Sequence, residues 1–244
     1  MTSRQQGVPY ARKRLNAMRQ IVTFDAYGTL VDFQLGPTTL KVLADRLDLD
    51  RLNVDEFLDD FRIMRFHAVL EAYRPFRELL PASLEIAMRL HGLEYRQSDG
   101  EALVAAVPTF GPHPEVPAAL RALKSRYEIA IISNTDDDLI AQNLANMGVE
   151  FDHVITAQQA KAYKPSRQTF EYAFQAMDID PAQVIHVAQG WEYDLIPTRD
   201  LGLARRVWIN RYGHNGSIGA RGSADYQPFD ELPDLSGLPA LLGC

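Results

Sequence analysis

Cysteine is almost missing from this 244-residue chain: the single thiol is Cys244, the last residue. A disulfide framework, a thiolate zinc site and a buried cysteine nucleophile are thereby excluded, and a reducing cytoplasm is the expected compartment. Long apolar runs are missing too. None approaches the ~20 residues that span a bilayer, and the first residues lack the apolar stretch of a secretory signal. Positive charge is in deficit: 25 Lys and Arg against 32 Asp and Glu give a net charge of −7. A nucleic-acid or acidic-membrane partner, which needs a cationic surface to displace counterions, is not expected, and a small anionic ligand would need cations placed locally. There are no internal repeats and no low-complexity tracts, and the composition makes no case for disorder or a fibre.

What remains is ordinary globular material, 46% hydrophobic and 23% charged. The length suggests one to two domains, a surplus over a single small core. The first 24 residues contain Arg4, Arg12, Lys13, Arg14 and Arg19 and no acid. Residues 1–19 read as a basic tail, either an extended start ahead of Met18 or a docking arm, and removal of residues 1–17 should leave function intact.

From residue 20 the chain reads Gln-Ile-Val-Thr-Phe-Asp, an apolar β-rich run that ends at Asp25 and a Tyr-Gly-Thr turn. Similar runs are Ile129–Ile132, Val184–Val187 and Arg206–Ile209, with His153–Thr156 a weaker fifth. Helical patterns fall between them at Glu115–Arg126, Asp136–Met147, Ser166–Met177 and Glu192–Leu201, the second and fourth closed by Gly148 and Gly202. Such alternation predicts a parallel α/β sheet. Residues 35–110 break the rhythm: Val54, Phe57, Leu58, Phe61, Met64 and Ala68 recur at helical spacing, Leu79–His91 and Glu101–Val107 add further helix, and no strand pattern appears. This stretch is expected to be an inserted helical cap, with residues 20–34 and 111–244 forming the core and an irregular wrap from Tyr212 onward.

Ligands of parallel α/β sheets lie beyond the carboxyl ends of the strands. The residues expected there are Asp25, Tyr27, Gly28 and Thr29, then Ser133 and Asn134, Lys164, and Gln189 to Asp194. A flanked, ionised carboxylate is a competent nucleophile that divides a displacement into ester formation and ester hydrolysis. Taken singly, the same residues could be caps, turn residues or a surface lysine.

Order and spacing add to this. Phe-Asp-Ala-Tyr-Gly-Thr-Leu (24–30), Ile-Ser-Asn (132–134), Tyr-Lys-Pro (163–165) and a segment ending at Asp194 resemble the four motifs of the haloacid dehalogenase superfamily, over residues 20–211. Tyr27 stands where the superfamily's phosphatases carry an acid that protonates the leaving oxygen; a tyrosine there is similar to the type II L-2-haloacid dehalogenases. The resemblance implies a Rossmann-like parallel sheet with a helical cap, and hydrolytic release of halide from short 2-haloalkanoic acids through an Asp25 ester, giving 2-hydroxy acids without metal or organic cofactor. It implies that Lys164 keeps Asp25 ionised, that Asp194 activates the water, and that Thr29 and Ser133 position carboxylates. Asn134 and a cap arginine would receive the halide. Phe61-Arg62 resembles the aromatic-Arg pair that supplies this arginine, although Arg62 could equally be an i,i+3 partner of Asp59, and Arg65 is the alternative. Gln189 and Trp191 stand in place of the family's Ser and Asn, and Phe170 in place of its tyrosine, so the substrate cradle is altered. Trp191 is either pocket wall or core. A magnesium-dependent phosphatase and a non-catalytic binding module are the competing readings, and a homodimer would have precedent among similar dehalogenases.

Overall fold

The computed structural model describes residues 19–47, 52–213 and 227–244. Residues 1–18 of the basic tail lie outside these. Arg19, counted with that tail, belongs to the core instead: its guanidinium donates to Glu128 at 2.6 and 2.8 Å and to the Met177 carbonyl at 3.0 Å.

The sheet is parallel throughout. Strand β1 (Ile21–Phe24) lies at its centre, followed in the chain by β2 (Glu128–Ser133), β3 (His153–Thr156), β4 (Val184–Ala188), β5 (Arg205–Ile209) and β6 (Asp230–Leu232), in the order β3-β2-β1-β4-β5-β6. Both faces of β1 and β4 are buried, which is why they read as continuous apolar runs rather than alternating ones. After β3 the chain returns to the far side of β1, so the carboxyl ends of β1, β2 and β4 meet where the strand order reverses.

Between β1 and β2 lie the helices α1 (Leu35–Val42), α2 (Val54–Val69), α3 (Phe76–Leu90) and α4 (Gln97–Ala106). The chain leaves and re-enters the core side by side, with the Asp32 amide donating to the Gly111 carbonyl at 2.9 Å. In the inserted helices Phe57, Phe61, Leu80, Leu84 and Leu103 are buried in one continuous apolar cluster with Phe24 and Leu30 of the core. Polar contacts join the two layers as well. The amides of Phe76 and Arg77, the orphan donors of the first turn of α3, are capped at 2.8 and 3.0 Å by Asp136, which follows β2. Asn143, on α6 (Asp137–Met147), donates to the carbonyls of Val107 and Phe110, both at 2.9 Å, and so holds the returning segment.

The remaining helices flank the sheet: α5 (Val116–Lys124), the short α7 (Ala157–Ala160), α8 (Arg167–Ala176) and α9 (Leu238–Leu241). Two expectations fail. The segment Glu192–Leu201 is a single π-helical turn, Trp191–Leu195, followed by non-helical turns. Pro197 offers no amide to continue a helix and its ring obstructs the preceding turn, while Leu195 and Ile196 bond five residues back to Gly190 and Trp191. The irregular wrap includes a strand, β6, whose sequence Asp-Glu-Leu has little strand propensity; it forms because β5 presents an open edge.

Candidate active site

Asp25 follows β1, and the chain then turns sharply through Gly28, whose φ of +88° suits a residue without Cβ. The Gln189 side-chain oxygen lies 3.3 Å from where such a Cβ would stand. Both oxygens of Asp25 are engaged: Oδ2 accepts the Thr29 hydroxyl at 2.7 Å and Oδ1 accepts Lys164 Nζ at 2.9 Å. Thr29 is itself fixed, since its Oγ1 accepts the Gln189 amide at 2.8 Å.

Lys164 is buried and is the hub. Its ammonium donates to Asp25 Oδ1, to the Ile132 carbonyl at 2.8 Å and to Asp194 Oδ1 at 2.7 Å, using all three hydrogens. Its backbone is held by Asn134, whose Oδ1 accepts the Lys164 amide at 2.7 Å and whose Nδ2 donates to the Lys164 carbonyl at 2.8 Å. Asn134 thus positions the lysine and lines the cavity with what remains of its amide.

Two carboxylates and one ammonium leave a buried net charge of −1, and the groups respond unequally. Burial opposes the charge on Lys164, but the two carboxylates outweigh it and hold the ammonium's pKa above its ordinary value. Burial also works against Asp194, yet Lys164 and His186 keep it below the usual carboxylate range. Asp25 goes the other way: burial, aided by the charge of Asp194, raises its pKa although Lys164 and Thr29 pull it down. The expected stabilisation of ionised Asp25 by Lys164 is therefore present but incomplete, which leaves a comparatively basic carboxylate.

Above the trio is a cavity of about 500 Å³, roofed by the inserted helices. Its walls are largely apolar, including Phe33, Val69, Phe76 and Leu79, with the phenols of Tyr193 and Tyr212. Burial pushes the Tyr193 phenol up to about 12, so it stays neutral. Arg62 and Arg65 both reach the cavity from α2, but their charges differ in availability. Arg62 is bonded to Asp59 at 2.7 and 3.0 Å on the exposed side of the helix. The Arg65 guanidinium carbon lies 4.9 Å from the centre of the Phe61 ring and 6.0 Å from that of Phe33, and its Nε is buried with no hydrogen-bond partner among the described residues. Arg65 is therefore the less engaged of the two charges, whereas the sequence placed Arg62 first.

Of three further predicted residues, one reaches the cavity and two do not. Tyr27 lines the cavity with its ring, 4.8 Å from that of Phe33, while its hydroxyl donates to Asn143 Oδ1 at 3.0 Å and is kept un-ionised by burial. Trp191 is core: it is 1% exposed, 4.9 Å from the Trp208 ring and 5.5 Å from that of Phe229, and does not reach the cavity. Ser133 is likewise buried beneath the cavity floor rather than lining it, its hydroxyl without a partner among the described residues. Sequence reasoning missed Asp136 and Asn143, which secure the inserted helices, and His186, although a histidine inside the run Val-Ile-His-Val-Ala was itself a signal.

The donor set does not suit a divalent cation. The Oδ1 atoms of Asp25 and Asp194 are both occupied by one ammonium, and the position five residues before Asp194 holds the amide Gln189. No three His, Cys, Asp or Glu side chains converge among the described residues. Among those residues no helix is long and apolar enough to cross a membrane.

A parallel sheet whose central strand delivers an aspartate to a lysine and a second aspartate, beneath an inserted helical roof, defines a class of hydrolase. The family model of haloacid dehalogenase-like hydrolases matches residues 20–197, well over half of the chain, and the chain belongs to that family. It is 28% identical over 199 residues to haloacetate dehalogenase H-2 of Moraxella sp. (strain B), covering 80% of this chain and 87% of the relative. It is 27% identical over 198 residues to an (S)-2-haloacid dehalogenase of Pseudomonas sp. (strain YL), covering 79% and 83%. The L-2-haloacid dehalogenase of Xanthobacter autotrophicus, solved with chloropropionic acid covalently bound, superimposes with a TM-score of 0.76 over 93% of this chain and 99% of its own, at 21% identity, a likeness of fold.

Proposed function

We propose that this hydrolase is a dehalogenase that releases halide from short 2-haloalkanoic acids through an ester on Asp25, giving 2-hydroxy acids. The observation that carries the reading is the Asp25–Lys164–Asp194 trio set beside a tyrosine whose hydroxyl is committed to Asn143. A carboxylate held at both oxygens can attack C2, and halide departs without needing the proton that an alkoxide would require. The substrate carboxylate and the departing halide would be received by Arg65, the remaining Asn134 amide hydrogen and Arg62. Water then attacks the aspartyl ester, assisted by Asp194, whose Oδ2 is buried without a partner among the described residues. Backside displacement at C2 inverts its configuration. The names of the similar proteins, including one whose structure holds chloropropionic acid covalently, support the substrate class.

A single turnover of 2-chloropropionate in H₂¹⁸O tests the mechanism. The label should enter Asp25 before it reaches the product; label appearing directly in the hydroxy acid would show that water attacks carbon and that Asp25 is only a base. Halide release should also survive EDTA. Chelator-sensitive turnover of a phosphate ester without halide release would replace this reading by the phosphatase one.

A further inference from the structure

The third residue of β4 is a histidine, 1% exposed in a strand otherwise made of Val, Ile, Val and Ala. A buried imidazole must find partners for both nitrogens, and this one does. Nδ1 is 2.8 Å from the hydroxyl of Thr23, its register partner on β1, and Nε2 is 3.0 Å from Asp194 Oδ1. Asp194, held ionised beside Lys164, can only accept, so Nε2 carries a hydrogen and donates it there, while the Thr23 hydroxyl meets Nδ1. Phe170 meets the ring edge-on, with centroids 5.6 Å apart and planes at 89°, and leaves it little freedom to turn.

The consequence falls on Asp194. Oδ1 takes two donors, Lys164 and His186, whereas Oδ2 takes none among the described residues. Gly190 makes room for Oδ2: a Cβ on this glycine would lie 2.5 Å from it. With Lys164 alone, the carboxylate could turn about its single donor; a second donor from another direction fixes its plane.

We propose that His186 is a positioning residue for ester hydrolysis, directing Asp194 Oδ2 at the attacking water. This rests on the Asp25-ester reading. Water adds to Cγ of the Asp25 ester as its proton passes to Asp194 Oδ2. The bond from Cγ to the substrate oxygen then breaks, the alkoxide takes the proton from Asp194, and Asp25, regenerated as a carboxylic acid, releases one proton to solvent. His186 does not touch Asp25, whose attack on carbon is prepared by Thr29 and Lys164, so its loss should slow the second half-reaction and spare the first.

The test is rapid mixing of parent, His186→Phe, His186→Gln and Thr23→Val with 2-chloropropionate, reading halide release and the intact mass of the chain. In His186→Phe the first-turnover halide burst should persist while steady turnover falls about ten- to a hundredfold, the loss expected for one hydrogen bond to a charged group. The esterified chain should accumulate. His186→Gln, whose amide can donate at the same place, should recover most of the turnover. Thr23→Val, which leaves the ring but removes the partner of its Nδ1, should show the same split in weaker form and covers the case of a misfolded phenylalanine variant. Burst and turnover falling together, or glutamine serving no better than phenylalanine, would overturn the role of His186. No trappable ester in the parent would overturn the Asp25 reading and this role with it.

Discussion

Replacing Lys164 by methionine would strip the site of a charge on which two buried carboxylates depend. Its ammonium has acceptors at 2.9, 2.8 and 2.7 Å, and the lysine is 1% exposed, so water cannot take its place without opening the core. Removing one partner of a buried ion pair costs about 3–5 kcal/mol, because the other charge stays behind uncompensated. At roughly 2–4 °C per kcal/mol for a chain of this size, the midpoint of thermal unfolding should fall by about 6–20 °C. The deficit should also depend on pH in a definite direction. Asp25 is already raised with the lysine present, and without it both carboxylates would lie above their unfolded values. A group raised in the folded state opposes folding while ionised and ceases to do so once protonated. The gap between parent and variant is therefore full at neutral pH and narrows as pH falls towards the unfolded carboxylate value of about 4. Thermal unfolding followed by circular dichroism at several pH values measures this. A deficit below about 1 kcal/mol, or one that does not narrow in acid, would refute the description of Lys164 as the charge on which both acids depend.

Other consequences are open to the same treatment. Asp25→Asn should abolish halide release yet raise the unfolding midpoint by a few degrees, about 1 kcal/mol, because it neutralises a raised buried carboxylate and leaves Lys164 paired with Asp194; a lowered midpoint would count against the buried net charge. The acid limb of kcat/KM should show an apparent pKa above the ordinary carboxylate value of about 4, since activity is lost as falling pH protonates Asp25. Arg65→Met should raise KM about ten- to a hundredfold, as expected for lost charged hydrogen bonds, with no loss of thermal stability, whereas Arg62→Met should do less because Asp59 already engages that charge; steady-state kinetics giving the reverse order would restore Arg62 as the anion receptor. Gly190→Ala should cut turnover at least tenfold, because its Cβ would stand 2.5 Å from the Asp194 Oδ2 assigned to water; a fully active alanine variant would remove that oxygen from the mechanism.

Much of this protein was set along the chain. Apolar runs buried on both faces and ending in Asp25, Ser133 and Ala188 encode a parallel sheet and the end at which its ligand must lie, because strand periodicity and turn chemistry are local properties. The motifs around Asp25, Lys164 and Asp194 pointed to the trio through their resemblance to a known family, and the strandless stretch carried the inserted helices. Other features were settled only when distant segments met. Arg62 and Arg65 are equivalent by helical spacing; Asp59 beside the first and the faces of Phe61 and Phe33 beside the second make them different. Trp191 sits among site residues in the chain but packs against Trp208 and Phe229 because Pro197 permits only one wide turn there. Strand β6 owes its existence to the open edge of β5, and His186 its meaning to Thr23 and Asp194, 163 and 8 residues away. Local sequence fixes which backbone a segment prefers and which chemistry its side chains can offer. Which charge remains uncompensated, and which oxygen remains free, depends on desolvation and on partners that only the packed chain brings within reach.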